Sequence, residues 1–163
     1  AYEQIVDSVA RTSAGLARIR DIFRITVPHE RAAWAACPAG KHHIVSLFHG
    51  TRNPNLRHIL HKGLIIPKIA TNGSRFGRGV YFADQSRRSI NYTGSHRTAM
   101  PRMMFVADVA LGTPCQLAGD NPILTEAPSG YDSVWGVQSW SGMDEFIIYN
   151  TAQQTIRALV LFD

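Results

Sequence analysis

Residues 76 to 92 read FGRGVYFADQSRRSINY, and the order of events along them decides the architecture. GVYFAD (79 to 84) has the composition of a short strand, and QSRRSINY (85 to 92) reads as the helix that follows it. Strand switches to helix at Asp84, whose carboxylate can cap the free amide donors of the first turn. The preceding glycines, Gly73, Gly77 and Gly79, are not in G-x-G-x-x-G order and stand before a strand, not a helix, so they make no Rossmann fingerprint. On composition alone they form a plain loop. No G-x-x-x-x-G-K-[ST] run occurs anywhere in the chain.

Working outward, RNPNLRHILHKG (52 to 63) is the best-punctuated helix. Asn53 is expected as N-cap, Pro54 at the first helical position, Gly63 as the stop, and Leu56, Ile59 and Leu60 as the buried face. Ile5, Val9, Leu16 and Ala17 predict a first helix within residues 4 to 19, interrupted by Gly15. IRDIFRITV (19 to 27) predicts a strand that Pro28 ends, and HIVSLFH (43 to 49) predicts the next. Downstream, MMFVADVALG (103 to 112), SVWGV (133 to 137), EFIIYN (145 to 150) and TIRALVLF (155 to 162) have strand composition, with Gly, Pro, Asn or Ser between them. Several strands with few helices predict an α+β fold, and no internal repeat is present.

At 163 residues the chain has the length of one domain, spanning 1 to 163, with a core that needs no staples. It is 45% hydrophobic and 18% charged, and it has no apolar run near the ~18 residues of a membrane span. A soluble globular domain without a membrane partner is expected. Cys37 and Cys115 are too few for a disulfide framework or a four-thiolate zinc site. The opening AYEQIVDSVA begins on Ala and lacks a signal-peptide apolar region, as an excised domain or processed end would.

The net charge of +5 hides an asymmetry. Residues 1 to 51 carry 6 basic and 4 acidic side chains, 52 to 102 carry 10 basic and only Asp84, and 103 to 163 carry Arg157 against 7 acids, giving +2, +9 and -6. Such blocks either mark a functional polarity toward an anionic partner or neutralise each other across the fold. His58 and His61, with His42 and His43 nearby, raise a metal site. They lack H-E-x-x-H and any neighbouring carboxylate, so no metal is expected. Ser46 and Ser141 have no G-x-S-x-G elbow around them.

Four separated motifs, LFHGTRNPN, FGRGVYFAD followed by RRSINY, EAPSGYDSVWGV, and DEFIIYN, together resemble in order the catalytic domain of the poly(ADP-ribose) polymerase family, over about Ile19 to Phe162. LTEAPSGYDSVWGV and DEFIIYN are most similar to the vault-associated branch. The resemblance implies the ADP-ribosyltransferase fold, a two-sheet β core, mixed and antiparallel, with a few peripheral helices. It also implies an enzyme that cleaves NAD, its co-substrate, and passes ADP-ribose to a protein or nucleic-acid acceptor with release of nicotinamide. The transition state resembles an oxocarbenium ion, which calls for a nearby carboxylate.

By the resemblance Glu145 is that carboxylate, and Glu145, His49 and Tyr81 form the catalytic set. His49 would bond the adenine-side ribose, and the Gly50 backbone would grip the nicotinamide carboxamide. Ser89 would bond the carboxamide oxygen and Tyr92 would stack on the ring; their spacing of three places both on one helix face. Thr51, Asn55, Phe82 and Ala83 fall in the implied NAD-binding motifs, and Arg75 would shape the acceptor side. Ile65 stands where several relatives carry an arginine, so that contact is either absent or replaced by Lys68 or Arg52. The regulatory helical domain and the tankyrase-type zinc insertion have no counterpart, and Met143 breaks the E-x-E pattern of arginine-modifying toxins. Two rivals follow: a module that binds NAD or ADP-ribose without turnover, and a nucleic-acid-directed ADP-ribosylating toxin domain suggested by the +9 block. An acidic protein partner or inhibitor fits that block too. The expected site of action is intracellular, cytoplasm or nucleus, reached by delivery if the domain is a toxin.

Overall fold

The computed structural model describes residues 2–37, 42–69, 74–94, 101–138 and 142–163. Gly73 and Ser141, singled out above, lie outside the described residues. The elements run α1 (Tyr2–Thr12), β1 (Ile19–Arg24), α2 (Pro28–Ala36), β2 (Ile44–Gly50), α3 (Asn53–Lys62), β3 (Val80–Phe82) and α4 (Ser86–Ile90). They continue as β4 (Arg102–Ala110), β5 (Pro114–Leu117), β6 (Ser133–Gly136), β7 (Glu145–Ile148), a short 3-10 turn (Thr151–Gln153) and β8 (Gln154–Phe162). One sheet has the order β1-β8-β4-β2 and is antiparallel throughout. The other has the order β3-β7-β6-β5 and is mixed, because β5 and β6 are parallel. The fold is α+β with the expected pair of sheets.

The period-2 alternation of β4 shows how the layers assemble. Phe105, Ala107 and Val109 enter the core shared with Val80, Phe82, Phe146 and Ile148 of the second sheet, which Leu56 and Ile59 of α3 join. Met104 and Val106 point the other way, into a cluster with Val9 of α1, Phe48 and Ile90 of α4. The outer face of the second sheet carries a smaller cluster of Phe76, Val134 and Ile147. Each such large apolar side chain contributes roughly 1.5–3 kcal/mol on burial.

Several boundaries differ from the sequence expectation. The β1 strand stops at Arg24, and Pro28 opens α2, where its missing N–H costs nothing at the first helical position. The buried residue of α2 is Glu30, so the helix shows no apolar stripe. Its carboxylate accepts from Leu64 N–H at 3.1 Å, from Ile156 N–H at 3.0 Å and from the Gln154 side chain, tying α2 to β8 and to the end of α3. In α3 the N-cap is Arg52, not Asn53, and the Asn53 amide donates instead to the Pro101 carbonyl at 3.1 Å. Leu60 is 40% exposed while Leu56 and Ile59 are buried. Gly63 does end the helix, at φ 76°, where a Cβ would also press on the Glu30 carboxylate. Asp84 does not cap α4: the N-cap is Gln85, whose side chain makes no cap bond, and the Ser86 N–H donates to Thr12 Oγ1 at 2.9 Å.

Candidate active site

The two sheets meet where the sequence motifs converge. Phe48 N–H donates to Ala83 C=O at 2.8 Å and Ala83 N–H returns to Phe48 C=O at 3.0 Å, a two-bond bridge between the end of β2 and the end of β3. This bridge sets His49 beside Tyr81. His49 Nδ1 lies 2.8 Å from the Tyr81 carbonyl, which can only accept, so Nδ1 carries the proton and Nε2 is left as an acceptor in the neutral ring. Its ring stands 5.7 Å from that of Phe82, tilted by 59°. Burial holds the His49 pKa below the usual imidazole value, against the smaller upward pull of the Tyr81 carbonyl.

Tyr81 pairs with Ile147 in the β3–β7 ladder, and Glu145 lies two residues before Ile147. Pleat parity therefore puts Tyr81 and Glu145 on one face of the second sheet. The Tyr81 hydroxyl donates to Gly77 C=O at 2.8 Å and accepts from Phe76 N–H at 3.0 Å, and burial pushes the phenol up to about 12. Tyr149 Oη donates to Phe76 C=O at 2.6 Å, and burial raises its pKa as well. Two phenols thus pin the loop before β3. Gly77 has φ 78° and is packed so that a Cβ would overlap the Leu124 backbone, and at Gly79 a Cβ would overlap Ile147 and Ile148. These glycines are built into the loop by protein contacts.

Glu145 is only 2% exposed. Arg88 of α4, itself 3% exposed, donates to its Oε1 from Nη2 at 2.6 Å and from Nε at 3.1 Å. The same guanidinium lies 5.3 Å from the centroid of the Tyr92 ring. Burial, then the Glu145 charge, raise the Tyr92 pKa. Tyr92 sits in the turn after α4 with its N–H on Ser89 C=O at 3.0 Å, so Ser89 and Tyr92 stay neighbours although the helix stops at Ile90. No sequence motif gives Arg88 a role, although it stands beside Ser89 in FGRGVYFADQSRRSINY.

Gly50 ends β2 against α4: a Cβ there would collide with the backbone carbonyl of Ser89. The absent side chain therefore brings the Gly50 and Ser89 backbones together. Thr51 is buried and its Oγ1 accepts from Asn55 Nδ2 at 3.1 Å, which fixes the entry into α3. The Phe82 side chain belongs to the inter-sheet core, and both backbone groups of Ala83 are used by Phe48. Arg75 pairs with Asp120, its Nε donating at 2.7 Å, and Ile65, Lys68 and Arg52 are exposed. His49, Gly50, Tyr81, Ser89, Tyr92 and Glu145 are thus gathered around the bridge and α4. Among the described residues there is no group of three or more His, Cys, Asp or Glu side chains able to hold a metal, and no helix is long and apolar enough to cross a membrane.

Two four-stranded sheets with flanking helices make this an ADP-ribosyltransferase fold. The poly(ADP-ribose) polymerase catalytic-domain model matches residues 1–142, and the chain belongs to that family. Protein mono-ADP-ribosyltransferase PARP4 of mouse (Mus musculus) is 39% identical over 129 residues, covering 71% of this chain and 7% of that protein. Protein mono-ADP-ribosyltransferase PARP3 of chicken (Gallus gallus) is 36% identical over 135 residues, covering 82% of this chain and 24% of that protein. Poly [ADP-ribose] polymerase 1 of chicken is 36% identical over 122 residues, covering 74% and 12%. The likeness to PARP4 agrees with the motif resemblance to the vault-associated branch. The chain therefore spans a small part of the length of these relatives. Glu145 lies beyond the residues that the family model matches, so its assignment rests on DEFIIYN and on its position beside Arg88.

Proposed function

We propose that this chain is an NAD-dependent ADP-ribosyltransferase, cleaving the nicotinamide–ribose bond and passing ADP-ribose to a macromolecular acceptor. One observation carries the reading: a buried carboxylate, Glu145, sits on the same sheet face as Tyr81 and is gripped by Arg88, one residue before the Ser89 that packs on Gly50. The chemistry places developing positive charge on the ribose as nicotinamide leaves, and a preorganised carboxylate stabilises it with little reorganisation. Glu145 also accepts from the nucleophile's O–H as it attacks. Neutral His49 offers Nε2 to a ribose hydroxyl, the Gly50 backbone takes the carboxamide with the help of Ser89, and Tyr92 covers the nicotinamide ring. The groups present fit a dinucleotide: an acceptor for a sugar hydroxyl, a glycine backbone bare of side chain packed against Ser89, and aromatic rings.

The test is incubation with NAD labelled in the adenylate, with protein, RNA and DNA offered separately as acceptors. Label that becomes bound to one of them, removed by protease or by nuclease, establishes transfer and names the acceptor class. Saturable NAD binding with no nicotinamide released and no label transferred would instead mark a binding module.

A further inference from the structure

The helix that carries Arg88 and Ser89 is one turn long, Ser86–Ile90. A single turn does not sustain itself, since nucleation fixes several dihedrals for one hydrogen bond. Its N-cap residue, Gln85, supplies no side-chain cap bond. The missing acceptor comes from α1. Thr12, the last residue of that helix, accepts the Ser86 N–H on Oγ1 at 2.9 Å. The Thr12 hydroxyl proton is directed to Ser8 C=O at 2.7 Å, one turn back, so its oxygen faces Ser86 as an acceptor. The Ser86 hydroxyl, 2.8 Å from Thr12 Oγ1 and 3.4 Å from Val9 C=O, then donates toward α1. Ser86 and Val9 are fully buried, and Val9 packs in one cluster with Phe48 and Ile90. Val9 is the buried residue of α1, with half-buried Ile5 packed beside it, and the hydrogen bonds between Thr12, Val9 and Ser86 tie that helix to α4.

We infer that Thr12 is a positioning residue of the active site: it caps α4 from another element and thereby sets the register of the turn whose Arg88 holds Glu145. The hydroxyl touches neither the carboxylate nor the guanidinium. It acts two residues away along α4, where a displacement of the turn moves Arg88 and Ser89 together. Helix α1 is then part of the catalytic apparatus, and anything that lifts it off α4 lowers the rate. The inference rests on Glu145 as the catalytic carboxylate.

Two readouts on one pair of variants test it. Amide hydrogen exchange over residues 85–92 is compared in the unaltered chain, Thr12→Val and Thr12→Ser, together with kcat for nicotinamide release from NAD well below the melting midpoint. Loss of a cap corresponds to about five- to thirty-fold faster exchange of that segment, and a displaced Arg88 to a fall of roughly ten-fold in kcat. Thr12→Ser, which keeps the hydroxyl, restores both. Unchanged exchange in Thr12→Val overturns the cap. Faster exchange with an unaltered kcat, or a lower melting midpoint alone, overturns the positioning role. If the unaltered chain releases no nicotinamide, the proposed function fails, and with it the catalytic consequence drawn for Thr12, while exchange still reports on the cap itself.

Discussion

Arg88 directs both Nε and Nη2 to a single oxygen of Glu145, and the two side chains are each 3% exposed. A carboxylate and a guanidinium withdrawn from water are costly singly and tolerable together. Removing one partner leaves an uncompensated buried charge, so Arg88→Leu is expected to destabilise the fold by about 3–5 kcal/mol. Glu145→Gln in the Arg88→Leu background removes that charge and should recover most of the loss without recovering activity. Urea unfolding of the single and double variants measures the coupling.

Gly50→Ala tests the close packing of β2 on α4. The added methyl would overlap the Ser89 carbonyl, and backbone cannot swing aside as a long side chain can. The expected result is a rise of roughly ten-fold or more in KM for NAD, from a misplaced carboxamide clamp. Initial-rate kinetics measure it, and an unaltered KM would show that α4 yields without consequence.

His49 sets a pH dependence. Burial holds its folded pKa below the ordinary value of 6.5. The unfolded chain therefore binds the proton first as pH falls, and the contribution of neutral His49 is present above about 6.5 and lost as pH drops toward the lowered folded value. Wild-type stability should decline between about pH 7 and pH 5 more steeply than that of His49→Asn. Denaturant midpoints across that range compare the two.

Glu30 predicts a purely structural effect. Glu30→Ala strips the acceptor from Leu64 N–H, Ile156 N–H and the Gln154 amide, all in the interior. Stranded buried donors cost about 1–3 kcal/mol each, so a loss of about 3 kcal/mol or more is expected. Glu30→Gln, which keeps one oxygen acceptor, should lose less, as thermal or chemical unfolding would show.

Much of this architecture is written in local signals. The strands β2, β4, β6, β7 and β8 are runs of β-branched and aromatic residues bounded by turn formers, and each forms within a few residues of its expected limits. Helix α2 is invisible to such reading because its buried residue is a glutamate that bonds groups over 30 and over 120 positions away. The short strand β5 has four residues at a sheet edge, too few for a pattern. Local sequence points to adjacent Asp84 as the cap of α4, whereas the cap comes from Thr12, 74 residues before Ser86. Arg88 was legible only in part. The opposed charge blocks do meet in space, at Arg88 with Glu145 and at Arg75 with Asp120, so part of the asymmetry is internal pairing. Arg52, Arg57, Lys62, Lys68 and Arg78 remain exposed.

The measurement that bears most directly on the account is the single-turnover release of nicotinamide by Glu145→Gln against the unaltered chain. The substitution keeps the side chain's size and one oxygen for Arg88 but leaves the Arg88 charge uncompensated, so rates are taken on folded protein well below its melting midpoint; at the site it removes the charge that would stabilise the ribosyl cation. A fall of about 100- to 1,000-fold in rate, with NAD affinity changed far less, is the predicted result. A variant that releases nicotinamide at the unaltered rate would contradict the assignment of Glu145 and the mechanism built on it.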